Sequence, residues 1–309
     1  IYTNAVVEVN ETIKGSLPEK ISVCVLGGQV EDLILEVTHE PRFRLGEEVV
    51  LFLAEHGIDQ PVLASSLGVV GAMKGKLTLL GGRVLEMDLT ESELVARIEA
   101  AMAGEDLGPD PYFTPLAGDG ESYSSESELV PLSYSYTETR WPGRSPQVVY
   151  YIYTTFEPRG LVLDAITAAA ATWNNAGARF KFVYGGTTTR YAGYRDSYNI
   201  VELARGFGST AWVARVLTWS IDKGSYSNIV ECDMQINGSH SWAVGSMSDR
   251  YDLQNVVTHE FGHFLQLRDL YRGRERNMTM YGYVAYGETK KRSLAGPDRL
   301  GIRHIYGRR

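Results

Sequence analysis

The sequence predicts an α+β protein in two parts, and three observations carry that prediction. Residues 1 to about 90 hold short β-branched and apolar runs separated by Gly, Pro and charged turns, which reads as a small all-β unit. From residue 141 onward the order becomes strand, helix, several strands and a long apolar helix, an arrangement of segregated helices on a sheet. Residues 105–140 lie between them and shift to Gly, Pro, Ser, Tyr and acidic residues, a linker by composition.

Within residues 1–104, Ala5–Val9, Ile21–Val25, Leu33–Val37 and Val49–Leu53 read as strands, with turns at Lys14-Gly15-Ser16, Gly27-Gly28, Glu40-Pro41 and Leu45-Gly46. Val69–Leu80, broken at Gly75, reads as a further hairpin. Short strands at even spacing suggest a small barrel. No catalytic constellation stands out in it. His39 and His56 are isolated, and each reads as a satisfied structural histidine. Thr90-Glu91-Ser92-Glu93 forms a capping box that opens a short helix with Leu94, Ile98 and Met102 on one face, ending at Gly104. In 105–140, Tyr112, Tyr123, Tyr134 and Tyr136 make the segment stickier than a free tether, and it is expected to strap onto the domain that follows.

That domain, residues 141–309, opens with Trp141-Pro142 and the strand Val148–Tyr153. A helix over Leu161–Asn174 puts Ile166, Ala169, Ala170 and Trp173 on one face, with Gly177 as its stop. Phe180–Tyr184, Asn199–Leu203, Val213–Trp219 and Ile229–Ile236 read as strands. The apolar run Leu253–Leu267 reads as a helix with Asp252 as N-cap.

His259-Glu260-Phe261-Gly262-His263 sits in that helix. Four residues turn through about 400°, so the two histidines project from one face, roughly one turn apart. Imidazoles so placed can share one metal ion, and Glu260 stands beside them as a candidate general base, the H-E-x-x-H arrangement. An ordinary exposed histidine pair gives the same five residues, so the pentad decides nothing alone. A catalytic zinc needs a third protein ligand, and Asp269, Glu275 and Glu288 are the candidates. On a continuing helix Asp269 would lie about 240° round from His263 and some 9 Å along, out of reach of the same ion. For Asp269 to serve, the helix must break after Leu265.

The run from His259 to Asp269, then Asn277-Met278-Thr279-Met280-Tyr281-Gly282-Tyr283, then Leu294 to Gly307 with Asp298 and an Ile305-Tyr306-Gly307 end, together resemble the matrixin-like metzincins of prokaryotic type. The resemblance covers Trp141 to Arg309. It implies a twisted mixed sheet, an active-site helix, a Met-turn and a C-terminal helix. It also implies Zn2+ held by His259, His263 and Asp269, with Glu260 as base and Met280 as the apolar floor below the metal. Tyr281 and Tyr283 would border a substrate pocket of apolar preference. Val230–Asn237 resembles the edge strand that receives a peptide by strand addition. Two departures stand out: aspartate replaces the usual third histidine, and Gln266 stands where a glycine is expected. A left-handed non-glycine residue there is strained by about 1–2 kcal/mol. Metzincins often carry structural Ca2+ as well, but no convincing oxygen-ligand loop can be assembled here.

Composition bounds the rest. A net charge of -8 argues against nucleic acid as a partner, and no apolar run is long enough to predict a membrane span. The start at Ile1, without a leader, reads with the resemblance as a secreted or cell-surface protein whose signal peptide has been removed. Cys24 and Cys232 leave three readings: buried and inert, an inter-domain disulfide, or a Cys24 thiolate on the zinc. The last occurs in animal matrixin pro-segments within a Pro-Arg-Cys-Gly-like motif, which the Val23-Cys24-Val25 context lacks. The expectation is a zinc endopeptidase acting on protein or peptide substrates. The alternative is a latent or non-catalytic zinc-binding module, with the N-terminal unit as a targeting domain or inhibitory pro-domain.

Overall fold

A computed structural model describes residues 1–55, 67–69, 76–84, 89–105, 134–154, 159–207, 212–271 and 273–309. The first part contains β1 (Tyr2–Glu8), β2 (Lys20–Leu26), β3 (Gly28–Val30), β4 (Leu33–Val37), β5 (Glu48–Leu51), β6 (Leu53–Glu55), β7 (Leu67–Val69), β8 (Lys76–Leu80), β9 (Arg83–Val84), β10 (Leu89–Thr90) and α1 (Glu91–Met102). The second contains β11 (Thr139–Arg140), β12 (Gln147–Tyr153), α2 (Arg159–Asn174), β13 (Lys181–Thr188), β14 (Asn199–Ala204) and β15 (Ala214–Asp222). It continues with β16 (Ser227–Asn237), β17 (Trp242–Ala243), β18 (Tyr251–Asp252), α3 (Leu253–Phe264) and α4 (Gly296–Tyr306).

Local chemistry places most of these elements. The capping box at α1 is complete: Thr90 Oγ1 accepts from the Glu93 amide, and Glu93 Oε2 accepts from the Thr90 amide at 2.7 Å. The described first-part strands fall into separate sheets. One sheet runs β1-β2-β7-β6 and a second runs β10-β9-β8-β5. Of the hairpin expected over Val69–Leu80, residues 70–75 lie outside the described residues; of the described ends, β7 pairs with β2 and β6 while β8 pairs with β5 and β9. No barrel closes among the described residues.

β3 and β4 leave both small sheets for the large one, whose order is β13-β12-β14-β16-β15-β4-β3. Parallel pairing links β13, β12, β14 and β16, whereas β15 is antiparallel to β16 and β4 is antiparallel to β15. This corrects the reading of Val230–Asn237 as an edge strand. β16 is paired on both sides and buried along nearly its whole length, as an interior strand must be. Within the second part the edge is β15, and β4 covers it.

α2 and α3 pack on the sheet through Ile166, Trp173, Phe261 and Phe264, all essentially free of solvent contact. Two indoles tie the helices down by donating to backbone carbonyls, Trp173 to Thr258 at 2.7 Å and Trp141 to Phe264 at 2.8 Å. Both cysteines are buried and free, so the disulfide reading is wrong. Cys232 lies against Thr218 Oγ1 at 3.2 Å.

Candidate metal centre

α3 starts and stops on residues that can be named. Asp252 Oδ1 accepts from the Asn255 amide at 2.8 Å, the N-cap bond, and the Arg292 guanidinium forks onto the same carboxylate. At the other end the Gln266 amide donates to His263 O at 2.9 Å and the Leu267 amide to Gly262 O at 3.1 Å. These are the paired bonds of a Schellman motif. Gln266 takes the left-handed position itself, with φ 69°. Its side chain is well occupied: Oε1 accepts from Thr137 Oγ1 at 2.9 Å, and Nε2 donates to His263 O at 3.2 Å and Thr218 Oγ1 at 3.3 Å. The chain at 135–137 also bonds this turn, through Thr137 N to Gln266 O and Arg268 N to Ser135 O. That is the described end of the tyrosine-rich segment; Tyr112 and Tyr123 lie outside the described residues.

The turn folds Asp269 back over the helix face. His259 Nε2 and His263 Nε2 are 3.2 Å apart, and Asp269 Oδ1 is 3.1 Å from the first and 3.5 Å from the second. Each histidine has its other nitrogen against a carbonyl: His259 Nδ1 to Thr279 O and His263 Nδ1 to Leu267 O, both 2.8 Å. A carbonyl can only accept, so both Nδ1 atoms carry the proton and both Nε2 atoms present lone pairs. With both imidazoles neutral, three acceptors converge, and Asp269 Oδ1 has no hydrogen-bond donor. A cation resolves that arrangement. Bonds of about 2.0–2.1 Å to a tetrahedral zinc set ligand atoms about 3.3 Å apart, which the three measured edges bracket. The residues fit the metal that the motif implies.

Glu260 is buried, with Oε2 lacking any donor. Burial would raise its carboxyl, but the neighbouring histidines, His39 first, hold it below the ordinary carboxylate range. Met280 packs under the helix: a Cβ added at Gly262 would run into Met280 Sδ and lie 2.9 Å from Met280 Cε and from Trp173 Cζ2. The Met280 loop is pinned by Asp298, which accepts from the amides of Thr279 at 2.9 Å and Met280 at 3.3 Å. Tyr281 and Tyr283 stack edge-on at 5.5 Å between ring centres. The rivals for third ligand, Glu275 and Glu288, are not in the cluster.

Residues 214–307 match the family model for matrixin. That segment is matrixin-like. The matrixin-like segment contains β15, β16, α3, the Met280 loop and α4, so the whole cluster except one member falls inside it. A solved structure titled "Structure of myroilysin" is similar at 14% identity over 57% of this chain and 99% of that chain, with a TM-score of 0.34. No curated protein matches.

The member outside the matrixin-like segment is His39. Its ring, those of His259 and His263, and Asp269 bring one ligand atom each to within 4.8 Å of one another. His39 Nδ1 is 3.4 Å from Asp269 Oδ2, and Nε2 is 3.5 Å from Glu260 Oε1. His39 is therefore no isolated structural histidine, while His56 lies outside the described residues. Burial opposes its protonation, but Asp269 and Glu260 outweigh that and raise it to about 9; a cation held among the same carboxylate and imidazoles would invert that balance and leave the ring neutral, with a lone pair to offer. Tyr271 is a second omission; its phenol lies by Asp269, and burial and that carboxylate push its pKa up. Cys24 is absent from the cluster, which removes the thiolate reading.

Proposed function

We propose that the chain is a zinc-dependent endopeptidase. The observation that carries this reading is the convergence of three lone-pair atoms, from His259, His263 and Asp269, beside a buried carboxylate with a free oxygen. His259, His263 and Asp269 would hold the metal. Zinc when bound supplies an acidified water and polarises the scissile carbonyl. Glu260 takes the proton from the attacking water and hands it to the departing amine. The Thr279 and Leu267 carbonyls keep both imidazoles in the ligating tautomer and aimed inward. Met280 forms an apolar floor, and Tyr281 and Tyr283 border the pocket for the side chain after the scissile bond.

Asp269, as an anionic third ligand, would neutralise more of a bound metal's charge than histidine, and would therefore acidify the attacking water somewhat less than a three-histidine set. The substrate is an unfolded protein or extended peptide, outside the cell or at its surface. The test pairs the full chain with Glu260→Ala, measuring bound zinc and cleavage of an unfolded protein. We expect equal zinc and cleavage only by the unchanged chain, with Glu260→Ala at least about a hundredfold slower, the lower range for lost general-base catalysis. Equal and measurable cleavage by both would remove Glu260 from the mechanism.

A further inference from the structure

We infer that residues Leu33–Glu40 form a built-in plug of this site: β4 fills the strand edge that a peptide would pair with, and His39 closes the metal's fourth position. The inference rests on the zinc-peptidase reading above and adds its regulation.

Three independent observations carry it. The first is the ladder. β4 runs antiparallel along β15 in an unbroken register from Leu33 opposite Ile221 to Val37 opposite Leu217. β15 has β16 on its other side, so β4 takes the one free edge beside α3. Main-chain pairing along an edge is how extended peptides are held, and here the chain's own arm does the holding. Leu35 and Val37 are buried against Leu217 and Trp219, so side chains as well as backbone secure it.

The second observation is how the arm ends. Thr38 N donates to Val216 O at 2.9 Å, and the Val216 amide donates to Thr38 Oγ1 at 2.8 Å. Glu40 Oε1 accepts from Arg215 Nη1 at 3.2 Å. The residues on both sides of His39 are thus tied to β15. His39 itself has φ 63°, a left-handed conformation uncommon outside glycine, though histidine adopts it more readily than most side chains. Backbone strain of that sort persists where the surroundings impose it. Here it turns the imidazole out of the strand line and down onto Glu260 and Asp269.

The third observation is the ligand count. A zinc site that works on a substrate keeps one position for water, whereas one closed by four protein ligands is structural. His259, His263 and Asp269 leave one position, and His39 is the fourth group of the cluster. It also lies against Glu260, the carboxylate that needs the water's proton. One side chain so placed displaces the water and occupies its base. Peptide hydrolysis therefore requires the arm to leave.

The experiment uses the full chain loaded with Co2+, whose visible spectrum reports ligand number and exchange, alongside His39→Ala. A second variant, His39→Phe, keeps an aromatic ring in place and removes only the nitrogens. Acetohydroxamate is the probe of an open position, and cleavage of an unfolded protein is measured in parallel. In the unchanged chain the cobalt spectrum is expected to be indifferent to acetohydroxamate. In both variants it should shift on adding the probe, and cleavage should rise at least tenfold. Identical spectra and equal response to the probe in all three proteins would overturn the plug while leaving the metal centre intact. Failure of every protein to bind metal would overturn the centre and the plug together. A site that opens to the probe in the variants yet cleaves nothing would keep the plug and overturn the peptidase reading.

Discussion

Gly262 is the residue where the metal helix has least room. Any side chain there meets Met280 and Trp173, two groups that also fix the floor of the site. Gly262→Ala should destabilise the protein by about 1–3 kcal/mol, the usual cost of overpacking, and chemical denaturation will measure it. Gln266 shows the opposite balance. Its left-handed backbone costs about 1–2 kcal/mol relative to glycine, yet its amide makes three hydrogen bonds that glycine cannot. At about 1 kcal/mol for each hydrogen bond, Gln266→Gly should come out neutral to slightly destabilising rather than stabilising. A clear rise in stability would mean those bonds contribute nothing. The strain at this position was legible from the motif, because Gln266 stands where the turn needs a positive φ. The compensation was not, since Thr137 and Thr218 are distant in sequence and nothing in their surroundings marks them as its partners.

At the scale of elements, the cap of α3 bears on the site directly. Asp252 has no solvent exposure and serves the Asn255 amide, the Gly245 amide and Arg292 at once. Asp252→Ala should cost about 3 kcal/mol, the lower end for breaking a buried ion pair, read by thermal or denaturant unfolding. A second element-scale expectation concerns Lys291, whose Nζ donates to the carbonyls of Tyr281 at 2.5 Å and Tyr283 at 2.7 Å. Burial pushes it down to about 8. Between that value and its ordinary 10.5 the unfolded chain holds a proton that the folded chain has lost, so this group's contribution to stability rises with pH across that window. Unfolding midpoints of the wild type relative to Lys291→Met should climb from pH 8 to 10, and a flat difference would show that burial does not depress the Lys291 ammonium in this way. Local pattern served well for elements of this kind. The β4 strand, the α1 capping box and the Asp252 cap were each readable from a few adjacent residues. What escaped was pairing: β16 reads as an edge by its resemblance and is interior by its neighbours. Likewise, the stretch between β13 and β14 shows no periodicity. It is held by carboxylates of other strands, with Asp233 accepting from the amide of Gly193 at 2.6 Å and Glu231 from that of Asp196 at 3.0 Å.

For the whole molecule, metal removal is the direct measurement. A ligand that binds only the folded state stabilises it by about 2.7 kcal/mol at a hundred times its dissociation constant. Chelation should therefore lower the unfolding midpoint of the full chain, and restored zinc should return it. An unchanged midpoint would argue that the cluster holds no metal in solution. The His39 contribution belongs to this scale too, because it depends on an arm from the first part of the chain reaching the second. No window of sequence around His39 marks it; only the strand partner of β4 does. The arm has one more consequence, for solubility. With β4 in place the outermost strand is β3, only three residues long, and an edge that short offers little for another chain to extend. Once the arm departs, β15 presents nine residues of open ladder, with Leu217 and Trp219 uncovered beside it. A released form should self-associate at concentrations where the intact chain stays monomeric, and an extended peptide laid along β15 should reverse that by sealing the same edge.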